Sequence, residues 1–292
     1  MDNPILLNLV KNLVTITIFT LMLAIGVNLS WEKLLSFWRR PGLLLRALLA
    51  VVVLVPLVVI ILLRLFNLPP GVATGLALLA AAPGAPLTTK RSQMAGSKIP
   101  HAASLQLTLA LLAVLITPIT LAIFHSLFEL ETERVMVSQV FQQVARVQLL
   151  PVILGLLVQK FGPKIASVIA KPLMLIANSL FLLLVILLIV PGFRLILQIG
   201  ILPLVAIVVM VIISLAIGHL LGGAEVDKRS ALAISCIARN IGLALFIAVL
   251  SDAQKQVIPT LASYAILGTI VALPYSSWSK RQVARLKPTD TS

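Results

Sequence analysis

The residues with chemistry to offer lie in two short stretches, far apart in the chain. One is "SCIARNIGLALFIA", Ser235 to Ala248, where Ser235, Arg239 and Asn240 form a polar cluster flanked on both sides by apolar residues. Arg239 lies ten residues beyond Arg229. That is about 15 Å of helix rise, close to the middle of a bilayer. A charge at that depth is costly and must face a cavity or a partner rather than lipid. The other stretch is "AAPGAPLTTKRSQMAGSK", Ala81 to Lys98. Pro83 and Pro86 remove backbone donors and Gly84 relaxes the backbone, so a helix is expected to unwind near "PGAP". Broken backbone at membrane depth survives only where protein buries it or a watery cavity receives it. The hydroxyls of Thr88 and Thr89 are expected to face that cavity. Lys90 and Arg91, just past the break, read as basic residues of a cytoplasmic helix end.

Two roles stand open for Arg239. Its planar fork of donors suits a carboxylate, held bidentately where geometry allows, which makes it a recruiter of anionic cargo. Equally, the guanidinium can be pinned to the unwound carbonyls of the "PGAP" helix. The two roles are compatible.

The remaining polar residues offer less. Gln139, Gln142, Gln143 and Arg146 recur at helical spacing and form one polar stripe, read as an interfacial face ahead of a vestibule lining. His101, His125 and His219 are scattered without ligand partners, so no metal site is expected. Asn178 is a lone polar residue in an apolar run, suited to an interhelical hydrogen bond more than to substrate contact. The single cysteine, Cys236, excludes an intramolecular disulfide. No nucleophile–base pair, phosphate loop or metal motif is present, which argues against an intramembrane enzyme and against any cofactor.

The elements that must position the two clusters follow from composition. The chain has 292 residues, of which 60% are hydrophobic and 11% charged, with a mean hydropathy of +1.13. A soluble domain so composed would expose large apolar patches, so this is a polytopic membrane protein. The net charge of +14 does not indicate a nucleic-acid partner, because the 23 basic residues cluster in short loops between apolar runs.

Nine runs are long enough to cross a bilayer of ~30 Å, at roughly 5–27, 43–66, 70–96, 101–127, 137–160, 168–191, 196–221, 228–251 and 256–279. Of the basic residues, 16 fall on one alternating set of loops and five on the other, while Arg146 and Arg239 lie within runs. The basic set belongs in the cytoplasm, which puts the C-terminus inside and the N-terminus outside. Trp31, Trp38, Tyr275 and Trp278 fall near cytoplasmic ends, where amphipathic rings anchor at the headgroups. The N-terminal "MDNPILLNLVKNLV" lacks a basic leader region and a small-residue cleavage site, so it is read as the start of a retained helix. Two interrupted helices in corresponding halves point to a secondary transporter with inverted repeats and a binding site near the midplane.

The run from Phe19 to Gly84, ending "ATGLALLAAAPG", closely resembles the bile acid:sodium symporter family, as do "LITP" at Leu115–Pro118 and "ARNIGLAL" at Ala238–Leu245. The resemblance covers nearly the whole chain, in order. It implies one integral membrane unit over 1–292 with nine helices. A panel domain takes helices within 5–27 and 137–191. A core domain takes helices within 43–127 and 196–279, with two broken helices crossing at their unwound centres.

The sodium chemistry departs from that pattern. Sodium-coupled members continue after Pro-Gly-Gly with Thr-Ala-Ser-Asn, and here the positions read Ala85, Pro86, Leu87, Thr88 and Thr89. The family's ligand-bearing Ser and Asn thus fall on Thr88 and Thr89, and its Glu falls on Ser235. The Gln before the second Asn falls on Arg239, while Asn240 is kept. The hydroxyl ligands of the following helix fall on Ala102 and Gln106. All nine acids lie in loops or termini, and a fixed guanidinium would repel a sodium ion by several kcal/mol in low dielectric. The expectation is therefore that neither sodium site survives.

The expected function is secondary active transport of a small or amphipathic organic anion, by alternating access, through a bacterial-type inner or plasma membrane. Thr88, Thr89, Arg239 and Asn240 are the expected substrate contacts. One rival is a sodium-coupled symporter with a rearranged site, and another is a non-transporting receptor or scaffold. Flux separates transporter from scaffold, and sodium dependence separates the two modes of transport.

Overall fold

The computed structural model describes residues 4–28, 31–130, 137–196 and 199–286, and among them every regular element is a helix. The first are α1 (Pro4–Asn28), a short α2 (Trp31–Trp38), and α3 (Pro41–Leu48), which passes through a π turn (Leu49–Leu54) into α4 (Val55–Leu65). Then come α5 (Pro70–Ala81), α6 (Thr88–Met94) and α7 (Ile99–Leu127). α8 (Val137–Val144) passes through a second π turn (Ala145–Leu149) into α9 (Leu150–Phe161), followed by α10 (Pro163–Ile196). The last are α11 (Ile201–Leu221), α12 (Val226–Ile237), α13 (Ile241–Leu250) and α14 (Gln254–Arg285).

Eight segments among the described residues are long and apolar enough to cross a membrane. Large apolar side chains, among them Leu45, Ile61, Leu115, Ile119, Leu182 and Ile212, are exposed on the surface of the bundle. Helices satisfy their own backbone groups, so such a surface suits hydrocarbon. The protein is an integral, multi-pass membrane protein. The third apolar run of the sequence is the one missing from these eight: α5 stops at Ala81 and α6 begins at Thr88.

Both π turns precede a proline. In the first, the amide of Val55 bonds the carbonyl of Ala50, five residues back. The same offset would pair the next amide with Val51, but residue 56 is a proline without an N–H. The Val51 carbonyl is therefore left open toward the interior. Pro151 follows the second turn in the same way.

Packing joins α1 to α9 and α10, while α5 lies against α14, α7 and α13, and α12 against α11 and α6. The contact of α1 with α9 is backbone to backbone. A Cβ added at Gly26 would lie 2.4 Å from the Val152 carbonyl oxygen, and one at Gly155 would lie 2.6 Å from that of Leu23. Among the aromatic residues near helix ends, Trp38 is half exposed, and its Nε1 donates to Thr108 Oγ1 at 3.0 Å, so it is a tie as well as an anchor.

A crossing of two interrupted helices

The first break has a local cause. Pro83 disfavours helical backbone at Ala82, which sits at φ −108°, ψ 77°. Gly84 follows at φ +76°, and a Cβ there would meet the Ala110 amide nitrogen at 2.7 Å. Only glycine fits this approach to α7. The second break, Ala238 to Asn240, contains neither proline nor glycine. Tertiary bonds hold it. The Asn240 amide donates to the Ala82 carbonyl at 2.8 Å, and the Ala85 amide returns a bond to the Ala238 carbonyl at 3.3 Å. Tyr264 Oη donates to the Ile237 carbonyl at 2.8 Å. Asn240 Oδ1 accepts from the Leu243 amide at 3.0 Å and so caps α13.

Arg239 is 3% exposed and surrounded by carbonyl oxygens. Its Nε donates to Leu79 at 2.8 Å, its Nη2 to Ala80, and its Nη1 to Val51 at 3.2 Å. Leu79 and Ala80 belong to the last turn of α5, at the negative end of its helix dipole, and the Leu79 carbonyl also accepts from the Ala82 amide at 3.2 Å. The guanidinium therefore caps one half-helix and takes up the carbonyl that Pro56 leaves open. The sequence suggests pinning to the unwound carbonyls around "PGAP"; the contacts are instead to the end of α5 and to the first π turn.

Thr89 and Gln106 also come together. Gln106 Oε1 accepts from the Thr89 amide at 2.8 Å and from Thr89 Oγ1 at 2.6 Å, while its Nε2 donates to the Pro86 carbonyl at 2.8 Å. One side chain of α7 thereby closes the loop between α5 and α6. The other expected positions are occupied locally. Thr88 is buried and its Oγ1 donates to the Ala85 carbonyl at 2.6 Å, so its hydroxyl turns to the break instead of the cavity. Ser235 Oγ donates to the Ala231 carbonyl at 2.8 Å. Ala102 is buried and offers no side-chain oxygen. Among the described residues, no three His, Cys, Asp or Glu side chains gather to hold a metal.

A pocket of about 580 Å³ lies beside the crossing, between α1 and α10 on one wall and α6 and α7 on the other. Thr89, Lys90, Gln93, Gln106, Asn28 and Asn178 supply its polar groups, and Ile25, Leu87 and Met174 are among its apolar ones. It opens at the end of the bundle where Lys90, Gln93, Ile99 and Pro100 are exposed. Asn178 is on the pocket wall, the position its lone polar character had made the lesser expectation. Neither Thr88, Arg239 nor Asn240 lines this pocket. At the same end, Lys98 pairs with Asp227 at 3.7 Å, which ties the start of α7 to the start of α12. The glutamine stripe stays outside the site: Gln142 and Arg146 are exposed and Gln143 half-buried, while the Gln139 side chain lies outside the described set. The side chain of Trp31 lies outside it too.

No curated protein matches the chain significantly. The model of the sodium bile acid symporter family matches residues 15–199. That range is more than half of the 292 residues and holds the first break, Gln106 and the α1 and α10 walls of the pocket. An integral membrane bundle, an interrupted helix at a polar crossing and this match together assign the chain to the sodium bile acid symporter family.

Proposed function

We propose that the protein is a secondary transporter of a small or amphipathic organic anion that works without bound sodium. Family membership gives the transporter class. The observation that carries the finer reading is the set of contacts around Arg239. Three carbonyl oxygens converge on its guanidinium, as oxygens converge on a bound cation. By resemblance, Arg239 stands where sodium-coupled members carry a glutamine ligand. Gln106 stands at another ligand position and takes up Thr89 and Pro86 itself. The oxygens that a sodium ion would need are thus already partnered, and Ala102 supplies none. A covalently tethered cation holds the crossing together, so the site is complete before any ion binds.

Arg239 then leaves a fixed positive charge at the crossing, whose contacts are neutral carbonyls. With Lys90 at the pocket mouth, this favours an anion between the walls, held by Lys90 and the side-chain amides of Gln93 and Asn178. Apolar lining at Ile25, Leu87 and Met174 suits a cargo with a hydrophobic body. Asn240 and Thr88 act by holding the broken backbone in shape. The packing of α1 with α9 and α10 suits a panel of α1, α8–α9 and α10. Movement of that panel against a core of α3–α7 and α11–α14 would provide alternating access, with the Lys98 end in the cytoplasm.

Uptake into proteoliposomes tests this. A screen of radiolabelled organic carboxylates should find one whose transport is equal in sodium, potassium and choline buffers. A steep sodium dependence that potassium and choline do not support would overturn the reading in favour of a rearranged sodium symporter. Absence of flux for the whole screen would favour a receptor or scaffold.

A further inference from the structure

A second cavity, of about 730 Å³, lies at the Lys98 end of the bundle. The start of α7 separates it from the pocket beside the crossing, and Ile99 and Pro100 line both. Three helices begin around it, each after a charged residue: Arg40 precedes α3, Lys98 precedes α7 and Glu225 precedes α12. None of the three gives its helix a side-chain cap. The buried ring of Phe37 and the half-buried ring of His101, with centroids 5.5 Å apart, form the inner wall.

The charges face one another across this space. Those of Arg40, Lys228, Glu225 and Asp227 all act on His101, and those of Arg40, Lys98 and Lys228 all act on Glu225. Both carboxylates are engaged: Asp227 pairs with Lys98 at 3.7 Å, and Glu225 accepts from Lys228. An ammonium carries three donors, so each lysine keeps N–H groups to give elsewhere. Arg40 is exposed and forms no ion pair among the described residues. Its fork of donors is uncommitted.

A cation at a helix start stands against the positive end of the helix dipole, where Ser, Thr, Asp and Asn are the usual caps. Membrane topology accounts for basic residues at this end, but not for their meeting around one cavity at two helix starts. An anion in the cavity relieves both conflicts, since it pairs with Arg40 and Lys98 and can accept from first-turn amides of α7 and α12. Donors arriving from three elements suit a tetrahedral group better than a planar carboxylate. We propose that this cavity binds a phosphate group between Arg40, Lys98 and Lys228, supplied by a phospholipid headgroup or by a soluble phosphate. Asp227 and Glu225 orient the two lysines. They also limit the site to one phosphate, because a polyphosphate would press further negative charge against them. The bound group joins the link between α2 and α3 to the starts of α7 and α12. This site goes beyond the transport reading and does not depend on it.

The test uses the full-length protein, delipidated in a non-ionic detergent, and needs no cargo. Melting temperatures are compared in sodium phosphate and in sodium chloride of equal ionic strength. They are compared again with phosphatidylglycerol and with the matching diacylglycerol, which lacks the phosphate. At tenfold excess over the dissociation constant, a phosphate source should raise the melting temperature by about 3 °C. Arg40→Gln, at an exposed side chain, should abolish the rise, and Lys228→Gln should weaken binding at least tenfold. Lys164→Gln, at an exposed lysine of α10 outside the cavity, should keep the rise in full. A rise with inorganic phosphate identifies a soluble phosphate as the ligand, and a rise with phosphatidylglycerol alone identifies a lipid headgroup. No rise with either source would overturn the site. So would a rise that survives Arg40→Gln, or one that Lys164→Gln removes equally well.

Discussion

Arg239 Nη1 donates to the carbonyl oxygen of Val51 at 3.2 Å, across 188 residues of sequence. The bond exists because residue 56 is a proline. Within the π turn Leu49–Leu54 the fifth residue onward would satisfy Val51, and Pro56 has no amide hydrogen to give. A missing donor in one helix thus creates the acceptor for a cation carried by another. The remaining donors of that cation close the end of α5. Three segments of chain meet at one guanidinium.

Replacing it should therefore damage the fold before it damages recognition. Arg239→Gln replaces three donating nitrogens with one, while Leu79 keeps its bond from the Ala82 amide, at a cost of about 2–4 kcal/mol. In a chain of this size that is a fall of roughly 5–10 °C in melting temperature. The variant also frees oxygens for a small cation. Sodium chloride should then stabilise Arg239→Gln more than choline chloride does, by about 1.4 kcal/mol at tenfold excess over the dissociation constant. Wild-type protein should show no such difference. Equal melting temperatures for variant and wild type would refute the tethered-cation role.

Gly84 and Gly42 make a controlled pair. Gly84→Ala places a Cβ against the backbone of Ala110 at a φ of +76°, with an expected loss of at least about 2 kcal/mol. Gly42, in the first turn of α3, has nothing within 4 Å of an added Cβ. Gly42→Ala should be neutral or stabilise by up to about 1 kcal/mol. Thermal unfolding of the two purified variants decides the matter. Comparable effects would mean that the approach of the break to α7 is not required.

Lys90 stands at the pocket mouth and is exposed, so its pull on an anion should be screened by salt. Lys90→Gln should raise the KM for anion uptake about threefold to tenfold at 10 mM ionic strength, with kcat unchanged. The effect should shrink at 150 mM, where the Debye length falls from about 30 Å to about 8 Å. A KM that matches wild type at both ionic strengths would remove Lys90 from the recognition of cargo.

Much of the bundle was legible in the residues alone, because lipid leaves helices few alternatives. Composition determined a multi-pass protein. The "PGAP" segment announced the first break, since two prolines and a glycine act on the backbone wherever the chain is placed. Arg239 was conspicuous because a charge between apolar runs has few explanations. What Arg239 touches was not legible. Its partners are backbone carbonyls, which every residue carries, so no side-chain pattern distinguishes Leu79, Ala80 or Val51 as acceptors. The two breaks divide along the same line. Pro83, Gly84 and Pro86 determine the first by themselves. The second, at Ala238 to Asn240, has no residue that forbids a helix, and only bonds to Ala82, Ala85 and Tyr264 hold it open. Local sterics act within a few residues and can be read from order, whereas a helix interrupted by its neighbours exists only after the neighbours have arrived.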